Sequence, residues 1–252
     1  MPRAAKLCDE SRDGPMDEDR HGGALHGRRK GKKLRPRQAG LMADLLPRLA
    51  LDLETPAPER PASLFPGAAV RALWLEIGIG GGEHLVACAG SNPDIGLIGC
   101  EPFVNGMAKA VSAIDATGLA NIRLHHGDAR EVLDWLPDAA LQKVLLLYPD
   151  PWPKRRHWKR RFVCRGNLDR LARVLRPGGE LLVASDIESY VAWTLAYVRD
   201  HPSFAWTARR ADDWRRPFAD WPGTRYEAKA IREGRVPTYL HFRRTDAAPE
   251  TG

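Results

Sequence analysis

The chain has 252 residues, with 39 lysines and arginines, 32 aspartates and glutamates, and a formal net charge of +7 at pH 7. This length fits one large α/β domain with appendages, because a typical domain has about 100–200 residues. No stretch approaches the roughly 18 consecutive apolar residues of a membrane helix, and the charged N-terminal residues lack the apolar core of a secretory signal. The widely spaced cysteines exclude a CxxC motif and predict a reducing, cytoplasmic setting.

The positive charge is confined to two short windows. Residues 28–37 hold seven bases and residues 154–161 hold six, and neither window contains an acid. The remainder has 26 bases against 32 acids, a net charge of −6. One basic run can equally be a solvated or disordered segment. Two such runs on an acidic body predict a polyanionic partner, most simply nucleic acid.

The chain before residue 70 reads as an appendage. Residues 1–27 are polar and lack apolar periodicity, which predicts a disordered tail. The basic window then leads into a short amphipathic helix, interrupted by Pro47, whose apolar positions are Leu41, Leu45, Leu46 and Leu49. Four prolines between residues 54 and 68 indicate a linker. The predicted organisation is a tail (1–27), a basic segment with a helix and linker (28–69), and one main domain (70–252).

From residue 70 onward, short apolar runs alternate with helical stretches. The runs predict five buried parallel strands at 70–77, 95–101, 121–126, 143–148 and 180–185, and two edge strands at 203–210 and 238–244. Helices are predicted near 82–90, 103–117, 130–136, 165–175 and 187–200. This alternation predicts a doubly wound α/β sheet with the functional site at the carboxyl ends of the strands.

The first strand ends in LEIGIGGG, which places Glu76 at the strand end and Gly78, Gly80 and Gly82 in the following turn. Glycines there allow a ligand to approach the backbone closely. A dinucleotide fingerprint needs a third glycine at position 83, where this chain has glutamate, and Glu76 would repel a pyrophosphate. S-adenosylmethionine carries a sulfonium and an ammonium and no phosphate, so it suits this acidic turn better. A tight turn without a ligand is the alternative.

Two further acids stand at successive strand ends. Glu101 ends the second strand, where a carboxylate can accept the hydroxyl hydrogens of a ribose. Asp128 follows the third strand in HGDA and could accept a hydrogen bond from an adenine amino group. Each of the two could instead cap a helix. Together they occupy the positions that one extended nucleoside ligand requires.

After the fourth strand comes YPDPWPKRRHWKRR, in which three prolines bracket Asp150 and Trp152 next to the second basic window. The prolines would hold an acid and an aromatic ring rigidly where the reactive end of the cofactor should lie. The bases can neutralise phosphates, and Trp152, His157 and Trp158 can stack on bases or ribose. Trp158 could equally anchor its own loop.

These motifs carry a family resemblance. In order, LEIGIGGG, GCEP, HGDA, YPDPWPKRRHWKRR, ASD at 184–186 and TRYE at 224–227 resemble the bacterial tRNA (guanine-N7)-methyltransferases, which modify the variable-loop guanosine (position 46) of tRNA. The resemblance covers about residues 28–244. It implies a class I, Rossmann-like methyltransferase fold, mostly parallel with an antiparallel edge strand, and S-adenosylmethionine as the cofactor. A metal and a membrane are not expected.

The resemblance also implies roles for residues. Asp150 would be the catalytic residue and would also touch the cofactor, together with Glu76, Gly78, Gly80, Gly82, Glu101 and Asp128. The substrate would be bound by Lys154, Asp186, Thr224, Arg225, Tyr226 and Glu227. The RNA would be contacted by Arg156, His157, Trp158, Lys159, Arg160 and Arg161. Without the resemblance, Thr224 and Glu227 would simply read as the capping box of a helix.

Guanine N7 has an in-ring lone pair and no hydrogen, so methylation there requires no general base. Asp150 would either stabilise the charge that moves onto the purine or orient the base through its N1 and N2 hydrogens. One rival is methylation of an exocyclic amino group, although Asp150-Pro151-Trp152 is one proline short of the usual D/N-P-P-Y/F/W signature. Another is an inactive RNA-binding protein on the same fold, which would lack cofactor affinity.

Overall fold

The computed structural model describes residue 27 and residues 29–246, and the predicted 1–27 tail lies almost wholly outside them. A seven-stranded sheet in the order β3-β2-β1-β4-β5-β7-β6 forms the centre. Its strands are β1 (Ala72–Ile77), β2 (Ile95–Cys100), β3 (Ile122–His125), β4 (Leu141–Leu147), β5 (Leu175–Ser185), β6 (Phe204–Trp206) and β7 (Thr238–Arg244). Strands β1 to β5 are parallel, whereas β7 runs antiparallel to both β5 and β6.

Nine α-helices accompany the sheet in the described part of the chain. They are α1 (Pro36–Asp44), α2 (Leu46–Leu49), α3 (Glu83–Ser91), α4 (Val104–Thr117), α5 (Ala129–Trp135), α6 (Arg165–Val174), α7 (Glu188–Arg199), α8 (Asp212–Arg215) and α9 (Arg225–Arg232). Two 3-10 helices are added at Pro61–Leu64 and Arg155–Arg160. The expected doubly wound, mostly parallel α/β sheet is confirmed, and the antiparallel strand expected at the edge is β7, which lies one position inside the edge strand β6.

Side chains alternate between the two faces of the sheet because successive strand residues point to opposite sides. In β1, Leu73, Leu75 and Ile77 enter a large apolar cluster with residues of α5, α6 and α7. Trp74 and Glu76 therefore lie on the other face, where α3, α4 and the segment containing Phe218 and Trp221 cover the sheet. The parallel register aligns Ile77 with Cys100 and Cys100 with His125, so these strands end at one edge.

The observed elements differ from the expected ones mainly outside the parallel core. The predicted edge strand at 203–210 is reduced to Phe204–Trp206, and β5 begins earlier than expected, at Leu175. The 3-10 helix Arg155–Arg160 and the short helix α8 were not predicted. Neither has the apolar periodicity that identifies a longer helix.

The predicted linker packs against the domain instead of standing free of it. Phe65 is only 1% exposed and belongs to the same apolar cluster as Leu73. The backbone N–H of Leu51 donates to the carbonyl oxygen of Leu124 in β3 at 2.9 Å. Burial of Phe65 and Leu51 removes apolar surface from water, which holds this proline-rich stretch on the sheet. The helix break falls at Leu45, just ahead of the expected Pro47.

Gly82 brings α3 and α4 together. Its φ of +78° is left-handed, and a Cβ placed on it would lie 2.7 Å from the Cβ of Ala110 in α4. A side chain would therefore strain the backbone and force the helices apart. Packing alone accounts for a glycine at this position, which the sequence analysis placed in the cofactor site.

We expect Gly82→Ala to lower the free energy of unfolding by about 2–4 kcal/mol, because it combines overpacking with backbone strain. Gly78→Ala is the matched control. Gly78 has a similar φ of +77° but open space where a Cβ would be, so its cost should be about 1–2 kcal/mol. Urea denaturation of both variants measures the difference, and equal costs would contradict the packing role of Gly82.

Candidate functional site

A cavity of about 400 Å³ lies at the carboxyl ends of β1, β2, β3 and β4. It brings together residues that the sequence analysis singled out for different roles: Gly78, Glu101, Asp128, Asp150, Lys159, Arg160, Arg161 and Tyr226. The parallel strands cause this convergence, because their ends share one edge of the sheet. Acids lie at the strand ends, and bases enter from the segment after β4.

Glu101 is 7% exposed and is held by two backbone amides. Its Oε2 accepts from the N–H of Gly80 at 2.6 Å, and its Oε1 accepts from the N–H of Phe103 at 2.9 Å. Burial raises the pKa of Glu101, and these two hydrogen bonds offset part of the rise. The carboxylate therefore ties the glycine turn to the start of α4. It also keeps lone pairs for a ligand, because a carboxylate offers about four acceptor sites.

Asp128 is the N-cap of α5, which was the structural alternative in the sequence analysis. Its Oδ1 accepts from the backbone N–H of Arg130 at 3.0 Å, and its Oδ2 accepts from the guanidinium Nε of the same residue at 2.8 Å. Asp128 still lines the cavity. Capping and ligand binding are thus compatible, since Oδ1 retains a second lone pair.

Asp150 lies between two strained residues. Tyr148 and Trp152 have φ values of +50° and +42°, in the left-handed region that bulky residues avoid. Such conformations cost about 1–3 kcal/mol each and concentrate at functional sites. Burial raises the pKa of Asp150 above its ordinary value. Within the described residues, no hydrogen-bond donor is assigned to its carboxylate, so its acceptor sites are open to a ligand.

Glu76 does not line the cavity. It is 3% exposed, and its Oε2 lies 2.7 Å from Nδ1 of His84 in α3. Burial lowers the pKa of His84, but hydrogen bonds with Cys88 and Glu76 and the charge of Glu76 outweigh burial and raise it to about 10. His84 is therefore an imidazolium at neutral pH, and it neutralises Glu76 behind the glycine turn.

The glycines of the turn fall into different environments. Gly78 is exposed in the cavity wall with open space around it, as close approach of a ligand requires. Gly80 is covered by the first turn of α9: a Cβ there would lie 3.3 Å from a guanidinium nitrogen of Arg225 and 3.5 Å from the ring of Tyr226. Of the expected substrate residues, Arg225 and Tyr226 thus lie directly against the turn.

The remaining residues of that segment have structural partners. Thr224 caps α9 by accepting from the N–H of Glu227 at 3.0 Å, which completes the expected capping box. Glu227 is 7% exposed and accepts from Trp221 Nε1 at 2.8 Å and from the hydroxyl of Tyr239. Asp186 forms an ion pair with Arg235. Lys154, Asp186, Thr224, Arg225 and Glu227 lie outside the cavity lining, which Tyr226 joins. The substrate roles of all six residues stay predictions.

The second basic window forms the 3-10 helix and the turns on either side of it. Lys154, Arg155, Arg156 and Lys159 are exposed, and within the described chain no carboxylate lies in ion-pair distance of them. The guanidinium of Arg160 lies 5.0 Å from the ring centre of Trp152, which in turn contacts His157 edge-on at 5.9 Å. Uncompensated cations beside the cavity are suited to phosphate groups.

Arg161 is buried and does not have the exposed position that was expected of an RNA contact. It is 3% exposed, and its guanidinium donates to the carbonyl oxygen of Pro151 at 2.9 Å and to the carbonyl oxygen of Ser189 at 2.8 Å. It also lies 4.6 Å from the ring centre of Trp158, which packs edge-on against Trp193. The side chain thus holds the Asp150 loop on α7, and Trp158 anchors the loop, as the alternative interpretation foresaw.

The first basic window and the residue before it, Gly27, pass close to the same cavity. Gly27 lines it, and the carbonyl oxygens of Arg29 and Lys32 accept from the N–H of Val104 and the side-chain amide of Asn105, at 3.0 and 2.6 Å. The segment therefore crosses the start of α4, and both basic windows border one site. That proximity could not be inferred from their separation in sequence.

Sequence reasoning missed several cavity residues, chiefly Phe103, Arg130 and Tyr148. Phe103 follows GCEP directly, and Arg130 lies two residues after Asp128, so adjacency to the motifs was an available signal. Tyr148 carries a left-handed backbone that no residue type would indicate. Across residues 29–246, no helix combines the length and apolarity needed to cross a bilayer, and no cluster of three His, Cys, Asp or Glu could hold a metal.

The two kinds of base should separate by mutation. We expect the double variant Arg156→Gln and Lys159→Gln to bind RNA with a weaker salt dependence. The slope of the logarithm of the association constant against the logarithm of the salt concentration should fall by roughly one unit per lost phosphate contact, with little change in thermal stability. Arg161→Lys should instead lower the free energy of unfolding by about 1–3 kcal/mol, because an ammonium cannot reproduce the forked hydrogen bonds. RNA titrations over a salt series and thermal melts test this. A normal melting temperature for Arg161→Lys would contradict its anchoring role.

Comparisons with known proteins identify the family of this chain. A family model described as "Putative methyltransferase" matches residues 70–239. The tRNA (guanine-N(7)-)-methyltransferase of Rhizobium meliloti is 60% identical over 88% of this chain and 95% of its own length. The tRNA (guanine-N(7)-)-methyltransferase of Chelativorans sp. is 58% identical over 87% of this chain and 94% of its own length. A solved rRNA methylase from Streptococcus thermophilus is 12% identical with a TM-score of 0.48, covering 71% of this chain and 89% of its own. The chain belongs to the tRNA (guanine-N(7)-)-methyltransferase family.

Proposed function

We propose that the chain transfers a methyl group from S-adenosylmethionine to N7 of the variable-loop guanosine, position 46, of tRNA. The observation that supports this proposal is that Glu101, Asp128 and Asp150 line one cavity beside the exposed bases of the 3-10 helix. Relatives that share 57–60% of their residues with this chain carry the name tRNA (guanine-N(7)-)-methyltransferase. The free thiols of Cys88, Cys100 and Cys164 are in line with a cytoplasmic site of action.

The hydrogen-bond acceptors that line the cavity fit this cofactor. Carboxylates at strand ends suit ribose hydroxyls, an adenine amino group and cationic centres, whereas a phosphate would be repelled. Glu101 would accept hydrogen bonds from the ribose hydroxyls with its remaining lone pairs. Asp128 would accept a hydrogen bond from the adenine amino group with the second lone pair of Oδ1. Gly78 would admit the ligand against its backbone. Glu76 would support the glycine turn from the side away from the cavity, because its carboxylate is buried against His84.

S-adenosylmethionine supplies an electrophilic methyl group on a sulfonium. Bound in the cavity, it would give this methyl group to the N7 lone pair with loss of the S–C bond, a transfer that removes no proton from the purine. The chain must therefore align the base and stabilise the positive charge that moves onto it, and alignment alone can be worth about 7–11 kcal/mol in favourable cases. We assign both roles to Asp150, and its open carboxylate and the bond from Arg161 to its loop support this assignment.

We expect Glu101→Ala to weaken S-adenosylmethionine binding by about 1.5–3 kcal/mol, because two charge-assisted ribose hydrogen bonds would be lost. Thermal stability should also fall, since the amides of Gly80 and Phe103 lose their acceptor. Calorimetric titration measures the first effect and a thermal melt the second. Asp115→Ala, at an exposed ion pair on α4, is the control and should leave both unchanged. Unaltered cofactor affinity in folded Glu101→Ala would remove Glu101 from the site.

The atom that receives the methyl can be tested in the RNA. A tRNA with 7-deazaguanosine at the target keeps every Watson–Crick group but replaces the N7 lone pair with a C–H. Binding should persist, because phosphates dominate affinity, and methylation at that nucleotide should vanish. Unmodified tRNA serves as the control, with the methylated nucleoside identified after digestion.

The rival functions give different results in the same assay. Methylation of an exocyclic amino group would continue on the deaza tRNA, and label at that nucleotide would overturn the N7 assignment. An inactive RNA-binding protein would show no S-adenosylmethionine affinity and would leave unmodified tRNA unlabelled.

A further inference from the structure

His84 lies at the junction of two parts of the site. It is the second residue of α3 and is 4% exposed. One edge of its ring faces Glu76 at 2.7 Å, on the side of the glycine turn. Its face packs on the indole of Trp221, with ring centres 4.8 Å apart and a tilt of 45°.

Trp221 continues the connection to α9. Its indole N–H donates to Oε2 of Glu227 at 2.8 Å, and its ring packs edge-on against Phe218 and Tyr239. Glu227 fixes the first turn of α9 through the backbone N–H of Thr224 at 3.2 Å and through the hydroxyl of Tyr239. This is the turn whose Arg225 and Tyr226 cover Gly80.

Both buried acids use hydrogen-bond donors from this junction. An unpaired carboxylate in the interior costs several kcal/mol, and His84 is the partner of Glu76, whereas Trp221 shares Glu227 with Tyr239 and the N–H of Thr224. The contact between the imidazole and the indole joins these two groups of residues. It lies beside the direct contact that Arg225 and Tyr226 make with the turn at Gly80.

We propose that His84 is a positioning residue that couples the cofactor turn to the substrate-facing first turn of α9, acting through Glu76 on one side and Trp221 on the other. The inference rests on the proposed function, since it assigns the glycine turn to the cofactor and α9 to the tRNA guanosine. His84 itself touches neither ligand: it lies behind the turn and outside the cavity lining.

Two substitutions divide the two contacts. His84→Asn keeps an N–H close to the position of Nδ1 for Glu76 but removes the ring that packs on Trp221 and the positive charge of the imidazolium. We expect a smaller loss of S-adenosylmethionine affinity than in His84→Phe and a kcat/KM for tRNA reduced roughly tenfold. His84→Phe keeps a ring for Trp221 but leaves Glu76 without its donor. We expect its cofactor affinity to fall by roughly tenfold or more.

Trp221→Leu provides a test that leaves the Glu76–His84 pair intact. It should reduce kcat/KM for tRNA while cofactor affinity stays near wild type. If His84 acts on the tRNA step through Trp221, the double variant His84→Asn with Trp221→Leu will be no slower than Trp221→Leu alone. Independent residues would give effects that multiply, and that result would overturn the coupling.

His201 offers a matched control. It is also a buried histidine, 2% exposed, with Nε2 at 2.9 Å from Asp169 and a ring packed on Phe204. His201→Asn should lower thermal stability without changing cofactor affinity or kcat/KM. If the His84 variants fold and their kinetics and cofactor affinity match those of this control, the proposal is wrong. A wild-type chain that forms no 7-methylguanosine would instead refute the proposed function.

Discussion

A carboxylate can be buried only if donors replace the water it loses, and the site of this protein is organised by that requirement. Glu76 has His84, Glu101 has two backbone amides, and Glu227 has Trp221 and Tyr239. Each pairing joins two elements that are separate in sequence. The buried acids thus fix the glycine turn, the helix starts and the sheet edge that surround the cavity.

Asp150 is treated differently by the fold. Within the part of the chain that the structure describes, no donor is assigned to its carboxylate, and strained residues on either side hold it at the cavity. Its support comes indirectly, from Arg161 bonded to the neighbouring carbonyl of Pro151. The loop is thus bonded to Arg161 while the carboxylate itself is open, which is compatible with the electrostatic role proposed for Asp150.

The parallel core could be predicted because each strand is an apolar run of ordinary length and each helix is amphipathic. The acids at the strand ends follow from the same register. The direction of each base in the second window could not be predicted: a run of six bases does not show that Arg161 turns inward, since Trp193 and Ser189, its partners, lie on α7. The burial of Phe65 could not be predicted either, because the four prolines around it indicate a linker and give no periodic apolar pattern.

The position of β7 has a consequence for synthesis of the chain. In chain order β7 follows every other strand, yet in the sheet it lies between β5 and β6. On the ribosome, β6 therefore emerges with no strand to pair with, and Glu227 emerges before Tyr239 can donate to it. The parallel strands β1 to β5 all precede β7 in the chain, but the donors around Glu227 at the start of α9 are complete only once the last strand is made. A product truncated before residue 238 would contain all five parallel strands and lack the hydroxyl that donates to Glu227.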